Sequence, residues 1–202
     1  MQQERSIFSL VNENDCLSPR EDDIALWESF LADDAASFGC LFKKYYPHLF
    51  QYGMKVCKEK LLLEDTIQEL FIDLWRKRNP VPTISVKAYL IKALKYKLLK
   101  EFGKENHHSI EDYEQDHLFE IPHETFLIAR QEDKEKSERI IKALQQLSNR
   151  QKEIIYLKFY QGLDYEDVST IMNINYQATR NLLYQAIKSL KKILFNTSLL
   201  LQ

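Results

Sequence analysis

The sequence predicts an all-α protein with two small helical domains joined by an acidic linker. Two observations lead there: the chain has only 4 glycines and 5 prolines among its 202 residues, and its apolar residues recur at the spacing of a helix face. Tight turns, β-hairpins and phosphate-binding loops depend on glycine, so a chain this poor in glycine favours helices. Apolar residues make up 45% of the chain, which is enough to build a core.

The glycines also exclude several classes of enzyme. They stand at Gly39, Gly53, Gly103 and Gly162, too far apart to build a dinucleotide-binding GxGxxG, a Walker A loop or a GxSxG elbow. Most of the 5 histidines fall between residues 107 and 123, at spacings that match no helical pair of metal ligands. We therefore expect no catalytic site, no cofactor and no metal site.

The three cysteines and the absence of long apolar runs indicate in which cellular compartment the protein works. Cys16, Cys40 and Cys57 are odd in number and form no CxxC pair, which is typical of reduced thiols in a cytosolic protein. The first residues lack the apolar segment of a secretory signal, and no apolar run approaches the roughly 18 residues that span a bilayer. The sequence predicts a cytoplasmic protein without membrane insertion.

Charge alternates along the chain although the total is only −2. The net charge is −7 over residues 1–40, +8 over residues 41–104, −7 over residues 105–139 and +4 over residues 140–202. Two basic blocks separated by an acidic one suggest two modules that face a polyanion, because clustered lysines and arginines release phosphate counterions on binding. Ordinary solvated helix faces explain the same pattern equally well.

The first domain is predicted over residues 21–102, after a polar tail at residues 1–20. Its clearest helix covers residues 63–78, with Ile67, Leu70, Phe71 and Trp75 on one wide apolar stripe. Two helices precede it and place Ile24 on their inner stripe, and the prolines of residues 79–85 end it.

A lysine-rich helix over residues 86–102 completes the first domain. Its lysines are predicted to point largely outward and are interleaved with the aromatic residues Tyr89, Tyr96 and Phe102. Cations along a nucleic-acid backbone and aromatic faces for unpaired bases are what single-stranded DNA or RNA needs. The alternative is a helix whose aromatic residues are half-buried and whose lysines only solubilise it. The lysines are Lys87, Lys92, Lys95, Lys97 and Lys100.

The second domain is predicted over residues 134–196, after a linker at 103–133 and before a tail at 197–202. Four helices are expected in it, the first with Ile140 turned inward. Ser148 or Asn149 caps the second, Gly162 stops it, and Asp164 caps the third. Asn173 and Asn175 are expected to frame a tight turn, because asparagine is the residue other than glycine that best tolerates the left-handed conformation and is also a good N-cap.

The last two helices predict a helix-turn-helix. The outer face of the longer one carries Gln177, Arg180, Asn181, Tyr184 and Lys188. Arginine reads guanine bidentately, asparagine and glutamine read adenine, and tyrosine contacts a thymine methyl or a phosphate. The face therefore suits the major groove of DNA, although an ordinary solvent-exposed helix would show a similar face.

The order of these segments resembles a bacterial RNA polymerase sigma factor of the extracytoplasmic function (ECF) type, which keeps only the second and fourth sigma regions. Residues 26–53 resemble the start of the second region, residues 63–78 its following helix, and residues 143–190 the fourth region. The resemblance covers roughly residues 22–102 and 138–194. It implies that the protein binds core RNA polymerase and directs promoter recognition, promoter melting and transcription initiation.

The resemblance also implies roles for particular residues. The helix of residues 63–78 would dock on the β′ clamp coiled coil of the polymerase with Trp75 anchoring its core, and the fourth region would bind the β flap. An anti-sigma factor is a further expected partner. The implied polymerase contacts are Asp65, Gln68, Glu69 and Asp73. The implied minus-ten contacts are Lys87, Tyr89, Lys92, Lys95, Tyr96 and Lys100. The implied minus-thirty-five contacts are Gln177, Arg180, Asn181, Tyr184, Gln185 and Lys188.

The sequence departs from the family at several of these positions. Tyr96 stands where many members have Asn, and Lys100 where many have Asp or Asn, so the minus-ten preference does not transfer. Leu182 and Gln185 replace frequent arginines, and Asn173 replaces the usual glycine of the turn. A DNA-binding regulator that works without polymerase is the alternative function, and a helical adaptor for protein partners is a second one.

Overall fold

The computed structural model describes residues 21–77, 85–106, 119–120 and 134–199. Every regular element in these ranges is a helix, which confirms the all-α prediction. The chain divides into two compact units, Met1–Leu98 and Leu99–Gln202, called here the N-terminal unit and the C-terminal unit. The division falls inside a helix, four residues before the end predicted for the first domain.

The described residues of the N-terminal unit form four helices: α1 (Glu21–Leu31), α2 (Ala35–Val56), α3 (Lys60–Lys77) and α4 (Val86–Asn106), the last of which continues into the C-terminal unit. The carboxylate of Asp34 caps α2 by accepting the N–H groups of Ala36 and Ser37, each at 3.1 Å. The Ser37 hydroxyl also donates to it, and these bonds hold the pKa of Asp34 below its ordinary value. The break between the first two predicted helices is thus fixed by a local cap.

Aromatic rings fill the core of the N-terminal unit. The ring of Phe38 lies 4.9 Å from that of Trp75 and 5.9 Å from that of Phe71, and Phe30 lies 5.5 Å from Phe38. Aromatic pairs at these distances add to the free energy gained from burying their apolar area. Trp75 therefore joins the end of α3 to the core, in agreement with the anchoring role expected of it.

One glycine allows α2 and α3 to approach closely. A Cβ atom at Gly53 would lie 2.2 Å from Cδ1 of Leu63, whose side chain is fully buried. Such a separation is far below van der Waals contact, so a Cβ atom at this position would force the Leu63 side chain to shift. Gly53 thereby sets the spacing of the two helices.

Residues 134–199 of the C-terminal unit form four helices, as predicted for the second domain. They are α5 (Lys134–Gln145), α6 (Asn149–Ile155), α7 (Tyr165–Met172) and α8 (Tyr176–Leu199), and α6 continues as one π-helical turn over Tyr156–Tyr160. Ser148 caps α6 in a reciprocal capping box with Gln151, Gly162 has φ +68°, and Asp164 caps α7. The last helix extends into the segment predicted as a tail.

Several sequence predictions differ from the structure. Ile24 and Ile140 were expected on inner stripes but are 44% and 41% exposed, and Lys95 was expected outward but is only 5% exposed. Lys95 follows Ile91 by one helical turn and precedes Leu99 by another, so it lies on a buried face of α4. Cys40 is disulfide-bonded, which contradicts the prediction that all three thiols are reduced.

The predicted linker is partly structured. The helix α4 continues to Asn106, and Phe119 is completely buried in the C-terminal unit with its ring 5.6 Å from that of Tyr156. The linker histidines and most other residues of the predicted linker lie outside the described residues, as do the tail at 1–20 and residues 200–202. Phe119 therefore belongs to the core of a domain rather than to a spacer.

Within the described ranges, no helix is both long and apolar enough to cross a membrane. Over the same part of the chain, no three residues among His, Cys, Asp and Glu are grouped so that they could hold a metal ion.

Candidate nucleic-acid interface

The turn between α7 and α8 has the geometry of a helix-turn-helix. It spans Asn173 to Asn175, and Asn173 adopts the left-handed conformation with φ 51° and ψ 44°. Asparagine tolerates this conformation better than most other residues with a Cβ atom. The side chain of Asn175 then accepts the N–H of Ala178 at 2.7 Å and begins α8. The predicted tight turn framed by the two asparagines is confirmed.

The inner face of α8 fixes the orientation of its outer face. Thr179, Leu183 and Ala186 are buried at 0%, 4% and 0% exposure, and the Thr179 hydroxyl donates to the Asn175 carbonyl. The predicted groove residues all lie on the exposed side of the helix, with Tyr184 at 67% exposure. They are Gln177, Arg180, Asn181, Tyr184, Gln185 and Lys188. An amphipathic helix held on one side presents these donors and acceptors outward.

Sequence reasoning missed a set of side-chain contacts that connects three helices beside the turn. The ammonium of Lys158, on the π-helical turn, donates to the Leu163 carbonyl at 2.9 Å and lies 4.6 Å from the centre of the Tyr165 ring. The Tyr165 ring in turn contacts Tyr176, the first residue of α8, with the ring centres 5.8 Å apart. These contacts connect α6, α7 and α8, and no sequence motif marks them because they join residues of three different helices.

Most of the acidic face of α3 is exposed to solvent, but one of its residues is paired with a lysine of α4. Leu63, Ile67 and Leu70 are buried, whereas Asp65, Gln68 and Glu69 are exposed on the opposite side. Sequence analysis therefore grouped three residues that the structure also places together.

The fourth residue of the predicted docking face, Asp73, is set apart. Its Oδ2 atom lies 2.7 Å from the ammonium of Lys97 on α4, and an oxygen of Glu69 lies 3.8 Å from the same ammonium. The hydrogen bond from Lys97 is the main reason that the pKa of Asp73 lies below its ordinary value. Asp73 thus points its charge toward α4.

The lysine-rich helix α4 presents its predicted contact residues unevenly. Tyr96 is 53% exposed, Lys92 and Lys100 are exposed, and Lys87 is half-buried. Tyr89 is also half-buried, because its ring packs edge-on against Trp27 at 5.3 Å, and burial raises the pKa of its hydroxyl. Tyr89 is therefore packed against the core, whereas Tyr96 is open to solvent.

Helices α1, α3 and α4 enclose a cleft of about 220 Å³ in the N-terminal unit. Its aromatic lining includes Trp27, Tyr89 and Tyr96, and its polar lining is Asp73, Lys77 and Lys97. The indole N–H of Trp27 is buried and has no hydrogen-bond partner in the described part of the chain. A cavity with flat aromatic walls and a few charged groups suits a planar polar ligand. Sequence reasoning missed this cleft because three helices contribute to it.

Comparison with known families finds two family models that match this chain. The family model of Sigma-70 region 2 matches residues 41–116, and that of Sigma-70, region 4 matches residues 137–190. A search of curated proteins found no match.

Two solved structures show similar folds. One is a complex of CnrH with the cytosolic domain of CnrY, whose matching chain has 16% identity and a TM-score of 0.57, with 86% of this chain and 97% of that chain covered. The other is the sigma factor RpoE in complex with the anti-sigma factor NepR from Bartonella quintana, with 22% identity, a TM-score of 0.50, and 76% and 93% of the two chains covered.

The two sigma regions match together more than half of the chain, and they follow one another with only residues 117–136 between the matches. This is the two-region arrangement of the ECF type. The protein belongs to the sigma-70 family and is an RNA polymerase sigma factor of the ECF type.

Proposed function

We propose that the N-terminal unit docks on core RNA polymerase and holds unpaired minus-ten DNA, while the C-terminal unit reads the minus-thirty-five element as duplex. The observation that carries this proposal is the different form of the two polar surfaces. The C-terminal unit presents a convex helix face, and the N-terminal unit presents an aromatic-walled cleft beside exposed lysines. A convex helix fits a major groove, whereas a cleft accepts a base only after it has left the helix stack.

For the minus-thirty-five element, the supporting facts are exposure and chemistry. Arg180 and Asn181 are exposed on the first turns of α8, where recognition helices contact base edges. Gln177 Nε2 donates to Asn181 Oδ1 at 3.3 Å, which orients both amides for base contacts. Tyr184, Gln185 and Lys188 follow along the same face and complete the proposed contact surface with phosphates and bases.

For the minus-ten element, Tyr96 is the principal candidate. It is open to solvent and lines the cleft, so its ring can stack on a base that enters. Lys92 and Lys100 are exposed on the same helix and suit contacts with backbone phosphates, with Lys87 at its start. Tyr89 forms a wall of the cleft. Lys95 is buried, so we leave it out of the proposed contact surface.

For polymerase docking, Asp65, Gln68 and Glu69 form the exposed face of α3 that we propose meets the β′ clamp coiled coil. The buried stripe on the opposite side of the same helix fixes the direction in which this face points. We further propose that the C-terminal unit binds the β flap and that the protein acts in the cytoplasm, where its polymerase works. As a specificity subunit, the protein performs no covalent chemistry.

We also propose an anti-sigma factor as a partner. A solved complex of similar fold contains a sigma factor bound to an anti-sigma factor.

In vitro transcription with core RNA polymerase on a promoter library tests the proposal. The full chain is expected to select a two-element promoter and to migrate with core enzyme in gel filtration. The competing function, a DNA-binding regulator independent of polymerase, predicts tight duplex binding without a complex. Failure of the chain to join core enzyme would overturn the proposal.

A further inference from the structure

One residue of the predicted linker is part of the core of the C-terminal unit. Phe119 is completely buried, and its ring lies 5.6 Å from that of Tyr156, which is buried as well. The next residue, Glu120, is exposed, so the backbone at this point lies at the surface and turns an aromatic side chain inward. A phenylalanine buried to this extent removes a large apolar area from water, so its docked state is strongly favoured.

The ring that Phe119 contacts is itself held in place. Tyr156 begins the π-helical turn, and its ring stacks on that of Tyr160 with 4.8 Å between the ring centres. The Tyr156 hydroxyl also accepts a hydrogen bond from Nε2 of Gln161 at 3.0 Å. The contact for Phe119 is therefore supplied by the π-helical turn that continues α6.

This contact divides the predicted linker into two spans of different kind. Residues 107–118 connect Phe119 to the end of α4, the helix that carries the proposed minus-ten residues. Residues 121–133 instead begin and end on the C-terminal unit, at the docked Phe119 segment and at the start of α5. Only the length of the first span therefore affects how far the minus-ten surface and the minus-thirty-five surface can lie apart.

We propose that Phe119 stays docked while the protein is on a promoter, and that it thereby sets the longest spacing between the minus-ten and minus-thirty-five elements that the protein can use. This inference rests on the proposed function, in which α4 holds the first element and α8 reads the second. Phe119 is a positioning residue in this scheme, because it is buried and acts through the length of chain that it leaves free.

The reach follows from the number of residues in each span. The 12 residues 107–118 allow Phe119 to lie at most about 47 Å from the end of α4, which corresponds to about 14 base pairs of DNA. With Phe119 undocked, the 27 residues 107–133 would allow about 100 Å between α4 and α5. Two tethered sites are not occupied together when the tether cannot span them. Docking of Phe119 therefore excludes widely spaced elements that the undocked chain could bridge.

The test compares two insertions of the same glycine-serine segment of about six residues, which is flexible in composition. One stands between residues 112 and 113, before Phe119, and the other between residues 130 and 131, after it. Each segment adds at most about 22 Å to the span that it enters. Each full chain is assembled with core RNA polymerase and transcribes a set of promoters that share both elements and differ only in the spacing between them.

The insertion before Phe119 is expected to raise transcription about tenfold at spacings about two or three base pairs beyond the natural optimum. The insertion after Phe119 should leave the spacing profile of the natural chain unchanged, because it lengthens a span whose two ends lie on the same unit. The two variants have the same composition and length, so each is the matched control for the other.

The variant Phe119→Ala tests the contact itself. Loss of the ring should release the second span, so the profile should extend to longer spacings, and the insertion between residues 130 and 131 should extend it further in this background. Glu120→Ala, which truncates the exposed neighbour, should keep the natural profile. If Phe119→Ala only destabilised the C-terminal unit, transcription would fall at every spacing and thermal unfolding would show the loss. The pair of insertions, which keep Phe119, would then decide.

The outcomes distinguish this inference from the proposed function. Equal extension of the profile by the two insertions would overturn the inference, because Phe119 would then not be docked on the promoter. A natural profile with both insertions would also overturn it, because the spacing would then be set outside this chain. Both results leave the proposed function standing. A natural holoenzyme that transcribes equally well without the minus-thirty-five element would overturn both.

Discussion

The two units bind DNA, in our account, through surfaces of opposite form. The surface of the C-terminal unit lies on one helix, α8, and its position depends on local features such as the left-handed Asn173 and the cap at Asn175. The cleft of the N-terminal unit needs three helices, α1, α3 and α4. A local surface tolerates changes elsewhere in the fold, whereas a cleft changes whenever one of its helices moves.

The largest effect is expected from the double variant Arg180→Ala and Asn181→Ala. Each lost bidentate contact costs about 1 to 3 kcal/mol of discrimination at the minus-thirty-five element. The measurement is competition between promoters with intact and altered upstream elements, with Gln146→Ala, an exposed change on the same unit, as control. An equal loss on all promoters would instead assign phosphate contacts to these residues. The C-terminal unit would then not read bases with this face, as the comparison of the two units requires.

A smaller effect is expected from Gly53→Ala, which changes how α3, one of the three helices that line the cleft, packs against α2. The added methyl group overlaps Leu63 and should cost about 1 to 3 kcal/mol of unfolding free energy. Chemical denaturation checks the stability, and transcription from a pre-melted template checks whether minus-ten binding falls with it. Binding of the minus-thirty-five duplex by the C-terminal unit should stay unchanged. If duplex binding fell to the same extent, the two units would not be independent.

The smallest effect is expected from charge reversal of Asp65 and Glu69 to lysine. Exposed charges at the rim of an interface contribute about 0.2 to 1 kcal/mol each, so polymerase binding should weaken several-fold with the melting temperature nearly unchanged. Titration of core enzyme with labelled protein measures the affinity. The control is Glu28→Lys, which reverses an exposed charge on α1 instead of α3. Unaltered affinity would remove the docking assignment from α3.

The sequence predicted the features that depend on near neighbours. The apolar stripe of α3, the caps at Ser148 and Asp164 and the turn at Asn173 all follow from residues within one or two helical turns of each other. The exposed face of α8 follows from the same periodicity.

Features that need the tertiary structure were missed. Lys95 lies between Ile91 and Leu99 on a face of α4 that other helices cover, and its charge alone predicted exposure. Phe119 stands in a polar segment without periodicity, yet it packs on Tyr156. The aromatic and charged walls of the cleft were each visible as separate residues, but nothing in their spacing indicates that α1, α3 and α4 bring them together. Long-range packing decides these positions.

The most direct test of the account is promoter opening followed by a fluorescent base in the minus-ten element. Holoenzyme with Tyr96→Ala should still bind the promoter upstream but fail to open it, because the proposed stacking surface is lost. Holoenzyme with Arg180→Ala should bind the duplex promoter poorly and yet hold a pre-melted template as the natural protein does. If both variants instead fail equally on duplex and pre-melted templates, the assignment of duplex reading to one unit and of unpaired DNA to the other is contradicted.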